Sequence, residues 1–260
     1  MEHELDVLAI GTHPDDLEIS CGGTLIHLAN LGHRTGAVDL TRGELGTRGS
    51  AEIRHLETAA ANQVLQLLVR ENLGIPDGDI ENTLENRLRL IRVIRRHRPR
   101  LLLIPYWEER HYDHVRASLL ASEAAFQAGL PKIDTGQEAF RPYRVLFYAG
   151  RPSFRPSFVV DISEVFEEKM KAILSYRSQF HQEPAVESAG SGQPKKEPHT
   201  MISTPYALET LATMCRYYGA MIGARYGEPF LMREPLELRD PVSFFREFPD
   251  SKQAHLFPER

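Results

Sequence analysis

The chain reads as one α/β domain with a mostly parallel central sheet flanked by helices. Three observations predict this class. Short apolar runs, Leu5–Ile10 and Leu101–Ile104, have the length of buried strands rather than of helices. Segments of helical period alternate with the strand candidates, which is the rhythm of right-handed βαβ units. The 260 residues carry no internal repeat and no heptad. At ~150 residues per domain that length allows one or two domains, and the continuous alternation favours one decorated domain.

The elements follow in order. Leu5–Ile10 is the first strand, broken by Gly11-Thr-His-Pro-Asp-Asp16. Glu18–Leu31 is a helix with apolar residues at 21, 25, 28 and 29, stopped at Gly32. Thr35–Leu40 is a strand, Thr41–Ser50 a Gly- and Arg-rich loop, and Ala51–Leu68 a helix. Leu73 closes a short strand before the turn Ile75-Pro-Asp-Gly78. Thr83–Arg98 is helical, with aliphatic residues inside and arginines at 87, 89, 92, 95, 96, 98 and 100 read as solvated or at a subunit interface. His114–Ala128 is a helix, Val145–Tyr148 and Phe158–Asp161 are strands, and Phe166–Leu174 and Leu208–Met221 are helices. The stretch 183–199 has little to pack and is expected to be a mobile loop or insertion, and 233–260 a tail.

Composition excludes several classes. Lys plus Arg is 31 against 36 for Asp plus Glu, a formal charge of −5. A non-specific nucleic-acid or membrane-surface binder is therefore not expected. Two cysteines allow neither a disulfide scaffold nor a four-thiolate metal site, and Cys21 and Cys215 read as core residues. No run approaches the ~18 apolar residues of a membrane span. The acidic start leading straight into a strand does not read as a signal peptide, so a cytoplasmic protein is expected.

Chemistry concentrates in two segments. His13-Pro-Asp-Asp16 follows the first strand, and His111-Tyr-Asp-His114 follows strand Leu101–Ile104. Ligands of open α/β sheets sit beyond strand C-termini, so the two segments can converge. Together they bring imidazoles and carboxylates enough for a divalent ion on two His and one carboxylate, with a position left for water. Adjacent Asp15 and Asp16 point in different directions, so one can bind metal and the other take a proton from water acidified by the metal. HPDD alone also suits a turn or a helix cap, and the pairing of both segments after strands favours the site. The loop 41–49 also follows a strand and is expected to rim the same crevice, where Arg42, Arg48 and Arg54 could clamp an anionic group; a surface loop with solvated arginines is the other reading. Arg110 could reach a substrate, whereas Glu108 and Glu109 read as solvated.

These residues resemble the LmbE-like, or PIG-L, superfamily of zinc-dependent N-acetylglucosaminyl deacetylases. The similarity runs from about residue 4 to residue 232 and includes Leu40–Arg54, Arg70–Gly78, Ser175–Phe180 and Arg225–Phe230. It implies a Rossmann-like sandwich without a nucleotide, and a single deacetylase domain over 1–232. It implies His13, Asp16 and His114 as ligands of one Zn2+ per subunit, or of another divalent metal. It implies Asp15 as general base, His111 as the oxyanion donor and Asp113 as the carboxylate that orients a histidine. The loop stretch most resembles the bacillithiol-biosynthesis branch, which acts on N-acetylglucosaminyl malate. On that reading Arg54, Arg110, Arg48 and Glu44 contact an anionic amino-sugar substrate. The resemblance also implies a homo-oligomer, with hexamers known among relatives. Two alternatives stay open: a deacetylase of another N-acetylglucosamine compound (chitobiose, a mycothiol-type intermediate or a thiol conjugate), and a sugar-binding protein without activity. One departure is Tyr112, where the family usually has Pro.

Overall fold

The computed structural model describes residues 4–150, 154–180, 198–204 and 206–246 of the chain. Most of the expected 183–199 loop lies outside these residues, as does the chain beyond 246.

The centre is β1 (Val7–Gly11), a strand with every residue buried. Its alternation is sorted by face. Leu8 and Ile10 join one core with aliphatic residues of α4 (Leu84–His97) and the alanines of α5 (Tyr112–Ala128). Val7 and Ala9 join another with Leu17, Cys21, Leu25 and Phe166. A strand covered on both sides carries apolar residues at every position, which is why this stretch is legible as a buried parallel strand.

β2 (Thr35–Asp39), β3 (Val69–Asn72), β4 (Leu101–Pro105) and β5 (Arg144–Tyr148) extend the sheet in parallel. The order is β3-β2-β1-β4-β5-β7-β6. β7 (Gly227–Leu231) runs antiparallel to β5 and to β6 (Phe158–Asp161), so the mostly parallel sheet has a mixed end. The chain passes from β1 outward to β2 on one side and later returns to place β4 on the other. The crevice beyond the C-termini of β1 and β4 is therefore the topological switch point.

Helices cover both faces. The expected helix Glu18–Leu31 is two helices, α1 (Asp16–Ser20) and α2 (Gly22–Asn30), broken at Cys21 with φ −137° and ψ 14°. Glu228 on β7 is the partner at the break: its carboxylate accepts the Gly23 and Thr24 N–H groups at 2.9 and 2.7 Å. Lys169 on α6 (Phe166–Leu174) completes the arrangement, donating to Glu228 Oε1 at 2.6 Å and to the Glu18 and Ile19 carbonyls at 3.0 and 2.7 Å. The open N–H groups of α2 and the open carbonyls of α1 are thus satisfied by one buried ion pair.

Other boundaries differ modestly. α3 (Ala51–Leu65) ends three residues early because Gln66 turns left-handed at φ 58°. It starts at Ser50, whose hydroxyl accepts the Ile53 N–H at 3.3 Å. α7 (Ala207–Met221) matches its expected span, and α8 (Pro241–Arg246) lies in the stretch expected to be tail. Arg95 corrects the solvated reading of its helix. It is 4% exposed and donates to the Ala128, Leu130 and Ile133 carbonyls at 3.0, 2.9 and 2.7 Å, tying α4 to the end of α5. Cys21 and Cys215 are free and buried, as expected. Among the described residues no helix is long and apolar enough to cross a membrane.

Candidate active site

The four strand ends β1, β2, β3 and β4 each contribute to one crevice of about 500 Å³. His13, Asp15 and Asp16 come from the turn after β1, and Gly43, Leu45 and Gly46 from the loop after β2. Asp77 comes from the turn after β3, and Glu109, Arg110, His111 and His114 from the segment after β4. Thr200, Met201 and Ile202 close it from the C-terminal half.

His13, Asp16 and His114 offer ligand atoms that all lie within 4.8 Å of one another. Asp16 Oδ2 stands 3.4 Å from His13 Nδ1 and 3.3 Å from His114 Nε2. The opposite nitrogens face acids. His13 Nε2 is 3.3 Å from Asp113 Oδ2 and 3.0 Å from Asp77 Oδ1, so it carries the proton that these carboxylates accept. His114 Nδ1 has Glu109 Oε2 at 4.0 Å. Both imidazoles also direct an N–H at Asp16; a cation taking the place of those two protons would be bound by His13 Nδ1, His114 Nε2 and Asp16, with Asp113 and Asp77 behind His13 and Glu109 behind His114. Two imidazoles and one carboxylate, with room beside them, fit a divalent cation such as zinc.

Proton affinities in the metal-free cluster reflect this crowding. Burial works against the charged forms throughout. For Asp16 the neighbouring His114 and His13 outweigh burial and hold the carboxyl well below the usual range. Burial would lower His114, but Asp16 raises it to about 9. Burial would likewise lower His13, but hydrogen bonds to Asp113, Asp16 and Asp77 raise it well above its usual value. Asp113 is lowered, first by His13 and also by the Gly78 N–H, which donates to Oδ2 at 2.8 Å.

Asp15 behaves differently from its neighbour. Burial pushes its carboxyl up to about 7, with Arg54 opposing. Its backbone lies in the left-handed region at φ 112°, a strained state for a residue with a Cβ. That twist sends adjacent Asp15 and Asp16 in different directions. Arg54 is 6% exposed and supports the turn by donating to the Pro14 carbonyl at 2.9 Å. Gly43, at φ +67°, leaves it room: a Cβ there would come within 3.0 Å of the guanidinium.

His111 is the N-cap of α5, and its Nδ1 accepts the Asp113 N–H at 3.3 Å. The neutral ring then carries its proton on Nε2. Burial and the charges of His13 and His114 lower its pKa, which favours that neutral form. Tyr112, in place of the family's Pro, is 80% exposed at the first helical position.

The remaining expected residues are placed as follows. Arg110 lines the crevice and is exposed. Arg48 is turned to the protein, donating from Nε to the Ser178 carbonyl at 2.8 Å and from Nη1 to the Pro198 carbonyl at 3.3 Å. Glu44 accepts the Asp77 N–H at 2.9 Å. Glu109 corrects the solvated reading, since its side chain is 7% exposed and faces His114. Asp77 was legible only as part of a turn. The strand-end rule applied to β3 would have found it, but Val-Arg-Glu-Asn is too polar to advertise a strand.

A parallel-sheet crevice with this donor set, a buried carboxylate and a neutral imidazole defines a metal-dependent hydrolase. The PIG-L family model, GlcNAc-PI de-N-acetylase, matches residues 8–125. The diacetylchitobiose deacetylase of Thermococcus kodakarensis is 31% identical over 234 residues, 85% of this chain and 80% of that protein. A crystal structure of a conserved protein from Thermus thermophilus is 40% identical with a TM-score of 0.79, covering 91% of this chain and 98% of that one. The N,N'-diacetylchitobiose deacetylase of Pyrococcus horikoshii, solved with an inhibitor, is 27% identical with a TM-score of 0.72, covering 95% of this chain and 88% of that one. The chain belongs to the PIG-L family and is a metal-dependent deacetylase, which sets aside the reading as a sugar-binding protein without activity.

Proposed function

We propose that the protein removes the N-acetyl group from a short N-acetylglucosamine saccharide of the diacetylchitobiose kind, with zinc held by His13, Asp16 and His114. The observation that carries this reading is the similarity to diacetylchitobiose deacetylase over 85% of the chain. A crevice of about 500 Å³ is of a size that takes a small saccharide.

A zinc ion held by His13, Asp16 and His114 would supply Lewis acidity, polarising an acetamide carbonyl and acidifying water. Asp15 accepts the proton of the attacking water and returns it to the departing nitrogen. His111 donates its Nε2–H to the oxygen that becomes negative as water adds to the carbonyl. Asp113 keeps His13 oriented, and Arg54 keeps Asp15 in its strained rotation. Acetate and a free amino sugar result.

A malate-linked substrate is the second reading, and Arg110 at the crevice favours it. Its other expected contacts are otherwise engaged: Arg48 on the Ser178 carbonyl and Arg54 on the Pro14 carbonyl. The neutral saccharide therefore comes first.

The test is amine release from diacetylchitobiose and from N-acetylglucosaminyl malate, with zinc-loaded and chelator-treated protein. Faster release from diacetylchitobiose, abolished by the chelator, is expected. Preference for the malate compound reverses the order of the two readings. Release that survives complete metal removal overturns the mechanism.

A further inference from the structure

We infer that Asp77 is a positioning residue that ties the glycine-rich loop after β2 to His13, through the ring nitrogen opposite the one that faces Asp16. This inference rests on His13 being a metal ligand, as proposed above.

The two oxygens of the Asp77 carboxylate are divided between two tasks. Oδ1 stands 3.0 Å from His13 Nε2, and Oδ2 accepts the Leu45 N–H at 2.9 Å. The backbone closes the link from the other direction, because the Asp77 N–H donates to Glu44 Oε1 at 2.9 Å. Glu44 Oε2 in turn accepts the Arg42 N–H at 3.2 Å. The Asp77 side chain is 8% exposed, so water competes little for these bonds. Gly43, Leu45, Gly46 and Thr47 of the same loop line the crevice, where Leu45 is 70% exposed. Leu45, a large apolar side chain presented at the mouth, is suited to one face of a sugar ring, whose C–H groups are apolar.

The connection is short: Leu45 N–H, Asp77 carboxylate, His13 Nε2, and across the ring His13 Nδ1. A loop shifted by a seated saccharide pulls on the carboxylate that fixes the imidazole. Conversely, an imidazole committed to metal holds the carboxylate, and through it the loop, in the receiving position. Asp113 grips the same nitrogen at 3.3 Å, so loss of Asp77 weakens the orientation of His13 without abolishing it. Had Asp77 served only to form its turn, its substitution would change stability alone.

The experiment uses full-length Asp77→Asn and Glu44→Ala proteins. Zinc affinity is measured by competition with a chromophoric chelator, and kcat and KM on diacetylchitobiose. An amide can offer its oxygen to His13 or to the Leu45 N–H, but not to both. Asp77→Asn is therefore expected to weaken zinc binding by about 10-fold and to raise KM. Glu44→Ala removes the backbone partner of Asp77 and loosens the loop while the Asp77 and Asp113 carboxylates stay on His13, so KM rises and zinc affinity falls by clearly less than in Asp77→Asn. Asp77→Asn with wild-type zinc affinity and KM, whatever its melting temperature, overturns the inference. So does a Glu44→Ala protein that loses zinc as Asp77→Asn does. Failure of the wild-type protein to bind zinc at one equivalent overturns the underlying metal site instead, which keeps the two failures apart.

Discussion

Arg54 and Asp15 meet at 3.6 Å, Nη1 to Oδ2, with each side chain only 7% exposed. The guanidinium answers two needs at once. It offsets the charge of a carboxylate that burial disfavours, and it holds the Pro14 carbonyl beside the strained φ of Asp15. Losing a buried charged hydrogen-bond partner costs about 1.5–3 kcal/mol. Arg54→Ala is therefore expected to lower kcat/KM by about 10- to 100-fold, with most of the loss in kcat. Arg54→Lys restores little, because an ammonium cannot reach both groups in one plane. Steady-state kinetics of the two variants check this. A change confined to KM would return Arg54 to the substrate-clamping role.

Asp15→Asn should abolish turnover while zinc stays bound, and Asp16→Ala should release it. Elemental analysis alongside amine-release assays separates the two outcomes. The base must be ionised to accept a proton, so kcat/KM falls on the acid side. In the metal-free protein Asp15 is pushed up to about 7 by burial. A cation on the adjoining ligands stabilises the carboxylate, so the acid limb of the zinc-loaded enzyme should lie below 7. A limb above that value contradicts the assignment.

Zinc affinity should rise with pH across the neutral range. His114 in the metal-free protein titrates at about 9, because the Asp16 charge beside it outweighs burial. It is thus protonated at neutral pH, and the proton competes with metal for Nε2. Chelator competition between pH 6 and 9 should show progressively tighter zinc. The same raised pKa makes the His114–Asp16 pair stabilise the metal-free fold below the unfolded value of about 6.5. That contribution is lost as pH rises through about 9. A metal affinity flat over this range would refute the proton competition.

Lys169→Met should be strongly destabilising. It leaves Glu228 buried and without its cation, and breaking such a pair costs about 3–5 kcal/mol. For a chain of this size that corresponds to a melting temperature lower by about 10 °C. Adding Glu228→Gln should recover part of the loss, since an amide oxygen still accepts from the end of α2. Thermal unfolding of the single and double variants checks this, and a single variant as stable as wild type would contradict it.

Legibility in the sequence followed burial. β1 and β4 are covered on both faces, and their apolar runs announced both the strands and the turns beyond them. His13, Asp15, Asp16, His111, Asp113 and His114 were readable for that reason. β3 and β7 were poorly legible because they carry Arg70, Glu71, Glu228 and Pro229, side chains that only tertiary partners accommodate. Arg70 pairs with Asp39 at 2.8 Å, and Glu228 with Lys169. The break at Cys21 had a local signal in Gly22-Gly23, but the carboxylate that receives the freed N–H groups lies some two hundred residues away on β7. Asp77 and Glu109 were hidden similarly: a Pro-Asp-Gly turn and a charged loop look alike whether they face water or an imidazole.

The roof formed by Thr200, Met201 and Ile202 has a further consequence. Every group assigned to hydrolysis is encoded before residue 115, whereas this roof arrives from a later stretch of chain and brings no ionisable side chain. Part of the crevice wall is therefore encoded apart from the hydrolytic groups, while Leu45 and Arg110 of the wall lie among them. Substitutions at Thr200, Met201 and Ile202 can thus reshape the mouth of the crevice without replacing any group assigned to hydrolysis.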